Sequence, residues 1–279
     1  MKLLCHRYEI DLNAPKVMGI LNITPDSFSD GGRNNALDKA VAHARQMVAD
    51  GVDIIDVGGE STRPGAAPVS PEEEWQRVAP VLEAIQSLAC PISVDTRRTY
   101  VMQKTLENGL ADLINDVSAL EDDGALSLLA AYPDIPICLM HKKGNPENMQ
   151  KDPHYQDVVQ EVTDYLHQRV DTCIQAGIER KRLIIDPGFG FGKTSAHNIE
   201  LMKTMQQWRK QFDLPILIGF SRKHTLGLIA KTNDPEDRVS ASVAAALASC
   251  ARGAKIVRVH DVRQTVHALR VWQQMGVFV

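Results

Sequence analysis

Eight short apolar runs punctuate the chain, and each stops at a residue able to do chemistry. They are VMGIL before Asn22, DII before Asp56, ISV before Asp95, LI before Asn115, ICLM before His141, LII before Asp186, PILIGF before Ser221 and IVRV before His260. Runs rich in Ile, Val and Leu that do not alternate with polar positions suit strands buried on both faces, as in parallel sheets. Between them lie segments of helical length and period, at 36–50, 71–88, 97–109, 122–132, 155–176, 197–212, 236–252 and 261–275. The best marked is 71–88: Ser70 is the predicted N-cap, Pro71 occupies N1 and Glu73 stands at N3, the arrangement of a capping box. Eight strand-then-helix units in this length predict an α/β protein with the architecture of a (β/α)8 TIM barrel. One or two short strands within residues 2–13 precede it and are expected to lie across the barrel bottom. Strand ends in such a barrel face one pocket, so the eight terminal residues become candidates for a single site.

No Pro/Gly/Ser-rich linker, repeat or low-complexity block divides the 279 residues, so 1–279 is read as one domain. A hydrophobic fraction of 44% with 24% charged residues is sufficient for a sizeable core. The formal charge of -4 supplies no global field for nucleic acid or anionic lipid, so positive charge offered to an anionic ligand must be local. Cys5, Cys90, Cys138, Cys173 and Cys250 are odd in number and never form a CxxC pair, which predicts buried free thiols and neither a disulfide framework nor a zinc knuckle. Charges interrupt MKLLCHRYEIDL too early for a secretory segment, and no run approaches the ~20 apolar residues of a membrane span. A cytoplasmic protein with neither membrane nor nucleic acid as partner is expected. The small-residue stretch VSASVAAALASC suits close packing on the barrel or against a second copy of the chain, and both readings stand.

Candidate chemistry follows the strand ends. The loop NITPDSFSDGG, Asn22–Gly32, is long enough to fold over a ligand. Asn22 either offers its amide oxygen to a hard cation such as Mg2+, which keeps most of its waters and takes substrate phosphate oxygens, or caps its own turn. In GGESTRPGA, Gly58–Ala66, Thr62 and Arg63 would give a hydroxyl and a cation to an anionic substrate, unless the loop is merely solvated. Asp95, Asn115 and Asp186 follow apolar strands directly, where an unpaired carboxylate is costly to bury. Such a set suits a flat heterocycle with amino and ring N–H donors, or else pairs internally with Arg or Lys. PGFGFGKT resembles a phosphate-binding P-loop, but Pro187 occupies its first glycine and the segment follows the sixth unit of a barrel. Its glycines are instead expected to let backbone approach a ligand beside Asp186. GFSRKHTLG and RVHD bring Arg222, Lys223, Arg258 and His260 to the seventh and eighth strand ends, where barrels commonly bind phosphate; surface ion pairing is the alternative.

The segments GILNITPDSFSDGG, DVGGESTRPGA, SVDT, INDV, LMH, IIDPGFGFGK, GFSRK and RVHDV, in this order over nearly the whole chain, resemble dihydropteroate synthases. The resemblance implies a pterin-binding barrel that condenses 6-hydroxymethyl-7,8-dihydropterin diphosphate with 4-aminobenzoate, releasing pyrophosphate in folate biosynthesis by a Mg2+-assisted dissociative displacement. It assigns the pterin to Asp95, Asn115, Asp186 and Lys223, and the diphosphate end with Mg2+ to Asn22, Thr62, Arg258 and His260. Lys223, Arg258, His260 and Asp95 form the implied catalytic group; Arg63, Phe28, Pro64, Met140, Phe191, Gly219 and His224 complete the substrate-binding set. A homodimer is also implied. The chain departs from the family pattern at His224, where SRKS is usual, and at Lys142 and Lys143 in MHKKG. His224 leaves room for a homologue that binds pterin without coupling aminobenzoate. A pterin-dependent methyltransferase on the same barrel would not need Asn22, Arg258 and His260 together.

Overall fold

The computed structural model describes residues 1–23, 32–61, 65–144 and 148–276, with the side chains of 32–35 excepted. The first two strands, β1 (Lys2–Cys5) and β2 (Tyr8–Asp11), form an antiparallel hairpin. Eight parallel strands follow: β3 (Lys16–Asn22), β4 (Ile54–Gly58), β5 (Ile92–Asp95), β6 (Leu113–Asp116), β7 (Ile137–Met140), β8 (Leu183–Asp186), β9 (Leu217–Ile218) and β10 (Ile256–Val259). Their order is β8-β7-β6-β5-β4-β3-β10-β9. A single bridge between Ile185 and Ile216 joins the two ends of this sheet and closes the ring. All eight apolar runs are therefore strands of one barrel, as the pattern requires.

Residue i of one strand and its in-register neighbour on the next point to the same side of a parallel sheet. Asp56 is in register with Ile20 and Ser93, Gly58 with Asn22 and Asp95, Asp95 with Asn115, and Met140 with Asp186. One lumenal band of polar residues thus runs around the upper end. Below it the lumen is apolar: Met18, Ile54, Leu113, Cys138, Ile184, Leu217 and Ile256 pack with Leu3, Cys5, Ile10 and Leu12 of the hairpin segment. The hairpin seals the bottom, and solvent and ligand reach the lumen from the strand ends.

The outer ring consists of α1 (Gly32–Ala49), α2 (Pro71–Ile85), α3 (Thr99–Glu107), α4 (Ala125–Ala130), α5 (Val158–Gln175), α6 (Ser195–Phe212), α7 (His224–Ala230), α8 (Val239–Ala251) and α9 (Val262–Gln274). Each longer helix buries one stripe, as at Val78, Val81, Leu82 and Ile85 of α2, the spacing of a helical face. Ser70 caps α2 by accepting from the Glu73 amide at 3.1 Å. Several helix limits shift by a few residues from those expected, α4 for example spanning Ala125–Ala130 rather than 122–132, and two differences have a local cause. The helix after β5 starts at Thr99, because Arg97 and Arg98 stay extended and the Thr99 amide is capped from another loop by Asp122 at 2.7 Å. The seventh strand forms only Leu217–Ile218, and a short helix outside the expected set begins at His224 with Lys223 as its N-cap. All five cysteines are buried free thiols.

Leu12 is fully buried where the hairpin segment meets the barrel floor. Leu12→Ala is expected to cost about 2–5 kcal/mol by loss of burial and a cavity, measured by urea denaturation; a change within 0.5 kcal/mol would show that the hairpin does not seal the lumen.

Candidate active site

At the upper end a cleft of about 1400 Å³ opens, lined among others by Asn22, Asp95, Gly219, Lys223, Arg258 and His260. Its floor is organised by Arg258 of β10. Arg258 Nε donates to Asp56 Oδ2 and Nη2 donates to Asp95 Oδ2, both at 2.6 Å. One guanidinium therefore ties β10 across the lumen to β4 and β5. Burial alone would lower the Arg258 pKa, but Asp56 and Asp95 outweigh it and hold the group charged. Asp95 is pushed up to about 7, by burial first, against the pull of Arg258 and with the repulsion of Asp56. The sequence left internal pairing open for the Asp95, Asn115 and Asp186 set; the structure shows it for Asp95.

Asn115 of β6 donates from Nδ2 to Asp56 Oδ2 at 3.3 Å. That bond orients its amide, leaving Oδ1 for a ligand N–H. Asp186, at the end of β8, accepts from the Gly188 amide through Oδ1 at 2.7 Å. Its Oδ2 lies beside Gly219, where a side chain would fill the approach. Burial raises the Asp186 pKa to about 6, opposed by the Gly188 amide and by Lys223, Lys193 and Arg258. Met140, buried and in register with Asp186, forms the adjoining apolar wall.

The cations divide by what already holds them. Arg222 is engaged by both oxygens of Asp261, at 3.1 and 2.7 Å, and by Glu236. It is thus committed to ion pairs, which corrects its inclusion in an anion site with Lys223, Arg258 and His260. Lys223 Nζ lies 4.3 Å from the centre of the Phe191 ring, so the two side chains form one wall of the cleft. His260 receives Ser221 on two sides, its amide donating to Ser221 Oγ at 3.2 Å and its Nδ1 lying 3.1 Å from the same oxygen. Burial first, then Arg258 and Arg222, lower its pKa to about 3, which favours the neutral imidazole. His224, exposed at the start of α7, faces the same cleft.

The PGFGFGK segment packs largely against protein, while Gly190 also borders the cleft. A Cβ on Gly188 would meet the His141 carbonyl oxygen at 1.9 Å, and one on Gly192 the Lys143 carbonyl oxygen at 2.2 Å; both residues have positive φ. Lys193 turns inward and donates to Gly188 O at 2.9 Å and Phe191 O at 3.1 Å, with His141 Nδ1 at 2.8 Å. Burial lowers its pKa to about 7, and three acceptors satisfy its three donors. Lys193 therefore pins the loop and holds no nucleotide phosphate. His141 is consumed in the same contact, its pKa driven down to about 2 by burial and by Lys193. Lys143 donates to His154 O at 2.6 Å and pairs with Glu161 at 3.2 Å; Lys142 is half buried, with its pKa lowered by burial and Arg97.

Phe28, Thr62, Arg63 and Pro64 lie outside the described residues. The flank of the second loop is held by Glu60, which receives Arg97 at 2.7 and 3.0 Å. Asn22 ends β3 with an exposed side chain at the rim. Among the described residues no cluster of three or more His, Cys, Asp or Glu is placed to hold a metal. One amide oxygen nevertheless fits a hard cation bound mainly by substrate phosphates and water. The sequence placed Asp56 at the second strand end without defining its role, and read Lys193 only as part of a P-loop-like segment. Asp56 carried the same signal as Asp95, a carboxylate directly after an apolar strand, whereas nothing in the spacing marked Lys193 as buried.

A family model described as pterin binding enzyme matches residues 18–260. The dihydropteroate synthase of Neisseria meningitidis serogroup B is 55% identical over 97% of this chain and 96% of its own length, and that of Escherichia coli K12 is 50% identical over 97% and 95%. Among solved structures, Xanthomonas albilineans dihydropteroate synthase with 4-aminobenzoic acid superposes with a TM-score of 0.92 at 45% identity, covering 99% of this chain and 98% of that one. The same enzyme with 7,8-dihydropteroate gives 0.87 at 40%, with 99% and 98% covered.

Gly188→Ala is expected to destabilise the fold by about 2–4 kcal/mol, from left-handed strain plus overpacking against the His141 carbonyl. Thermal melting checks it, and an unchanged melt would mean that the loop is not packed on β7.

Proposed function

This chain belongs to the pterin-binding enzyme family, and we infer that it is a transferase that condenses 6-hydroxymethyl-7,8-dihydropterin diphosphate with 4-aminobenzoate to 7,8-dihydropteroate and pyrophosphate, the dihydropteroate synthase reaction of folate biosynthesis. The observation that carries the site assignment is the lumenal acceptor set. Asp95, the Asn115 carbonyl and Asp186 Oδ2 present oxygens to one buried space, matching the amino and ring N–H donors of a pterin. Lys223 closes the pterin's edge beside Asp186, with Met140, Phe191 and Gly219 as walls.

The diphosphate end would rest on Arg258, His260 and Asn22, joined by Thr62 and Arg63. Asn22 and the diphosphate oxygens would hold Mg2+ there, and the bound ion would supply charge neutralisation of the leaving group. Arg258 and Lys223 stabilise the same developing negative charge from the protein side. Asp95 and Asp186 tolerate positive charge building on the pterin's exocyclic carbon as its bond to oxygen breaks and the electron pair leaves with pyrophosphate, and the aminobenzoate nitrogen then forms the new bond and releases a proton to solvent. His260 enters neutral, and an arriving polyanion raises its proton affinity, so it donates to a phosphate oxygen. The cleft beyond Lys223, bordered by His224, accommodates aminobenzoate, with Phe28 and Pro64 as the assigned lid residues.

Residues 1–279 act as one domain in this reading, in the cytoplasm, as a homodimer. Leu228 and Ile229 of α7, Val271 of α9 and Met275 just after it are exposed apolar side chains on or beside helices flanking α8, which supports burial against a second copy. No described helix is long and apolar enough to cross a membrane.

Release of pyrophosphate that requires both substrates and Mg2+ is the direct test of the activity; pterin binding without product would sink it. Asp186→Asn should weaken pterin binding roughly tenfold to a hundredfold, because a charged acceptor is lost. In the wild type, protonation turns one carboxylate oxygen into an O–H donor that meets the pterin's N–H, and burial has raised Asp95 to about 7 and Asp186 to about 6. Affinity should therefore be full only well above pH 7 and fall as pH drops towards 5, by calorimetry; a limb only near pH 4 would contradict the assignment. His224→Ser should keep turnover and change aminobenzoate or sulfonamide affinity, and an unaltered inhibition profile would remove His224 from the pocket.

A further inference from the structure

We propose that Asp56 is a positioning residue for the pterin site: as a buried acceptor shared by Arg258 Nε and Asn115 Nδ2, it fixes which atoms both residues turn towards the ligand. This rests on the function proposed above and adds a residue that touches neither substrate.

Asp56 is wholly buried on β4 and in register with Ile20 and Ser93. An ionised carboxylate accepts and cannot donate. A single oxygen, Oδ2, receives Arg258 Nε at 2.6 Å and Asn115 Nδ2 at 3.3 Å. Asn115 consequently has one allowed amide orientation: its NH2 faces Asp56 and its carbonyl faces the donors of a bound heterocycle. The reversed amide would set a carbonyl against a carboxylate and present N–H groups to N–H groups. Arg258 is constrained in the same way. Its Nε edge is held by Asp56 and one terminal nitrogen by Asp95, so its plane and reach are set before any substrate arrives. The other oxygen of Asp56, Oδ1, has no hydrogen-bond partner among the described residues, and neither has the neighbouring Ser93 hydroxyl. A carboxylate kept in such surroundings is costly, which fits a residue retained for what it orients.

The closing experiment uses Asp56→Asn in the full chain, an isosteric change that removes charge and permits either amide orientation at both 56 and 115. Pterin affinity by calorimetry should fall roughly tenfold to a hundredfold, as for loss of a charged buried acceptor, with kcat lowered and the KM for aminobenzoate within about twofold. Because Asp56 also repels charge on Asp95, alongside Glu74 and Asp116 and against Arg258, its neutralisation should move the acid limb of pterin binding to lower pH. A purely structural role would lower the melting temperature and leave that limb in place. Wild-type affinity with an unmoved limb overturns the proposal. Should the variant fail to fold, the wild-type protein decides: nitrogen-15 NMR is expected to show a slowly exchanging Arg258 Nε–H, and exchange at the rate of a free arginine overturns it. Absence of pyrophosphate release by the wild type would refute the proposed reaction alone, since pterin binding by the variant is read separately.

Discussion

The upper half of the barrel depends on one cation shared between two carboxylates. Arg258 reaches from the last strand to Asp56 and Asp95 on the second and third barrel strands, above a floor sealed by Leu3, Cys5, Ile10 and Leu12. In such surroundings a lone charge is excluded by its desolvation cost, and breaking a buried pair by removing one partner typically costs about 3–5 kcal/mol. Each member of the trio is therefore explained by the other two. A guanidinium rather than an ammonium is needed, because two carboxylates on different strands must be met by separate nitrogens of one rigid plane.

The bridge also determines how the remaining polar groups divide. With Arg258 and Asn115 both bonded to Asp56, the free oxygens of Asn115 and Asp186 face the lumen, and the acceptor character of the pocket follows. Cations elsewhere are withdrawn from it by their own partners: Arg222 by Asp261 and Glu236, Lys193 by two carbonyls and His141. Acceptors thus line the lumen around Arg258, while Lys223 and His260 mark the rim. That division matches a ligand that is a donor-rich heterocycle at one end and a polyanion at the other.

The barrel was legible because buried parallel strands leave an unbroken apolar signature, and all eight runs were found with their terminal residues. Asp95, Asn115 and Asp186 were legible as a set because polar residues directly after such strands have nowhere else to point. What the sequence concealed was pairing at a distance. Arg222 and Arg258 read alike as basic residues at strand ends, yet one is committed to Asp261, next in chain to His260, and the other spans the lumen. The glycines of PGFGFG showed that close approach was needed, but whether to ligand or to the backbone at His141 and Lys143 depends on a loop conformation that no local pattern specifies. The short helix at His224 lacked a side-chain cap and so carried no signal.

His260 shows how a chain of net charge -4 can take a polyanion. Its imidazole is half-buried against Ser221 and faces Arg258 and Arg222, so its protonation is opposed by both desolvation and like charge. Only a ligand carrying several negative charges reverses both terms, by neutralising the arginine field and accepting the imidazole's hydrogen bond. In the proposed reaction, proton and polyanion affinity at this position would be linked, each favouring the other, and departure of pyrophosphate would return the ring to its neutral form. The rim would thereby select a doubly or more highly charged group. Asp56 extends the same economy inward, since a single fixed acceptor sets one cation and one amide that together address both ends of the ligand.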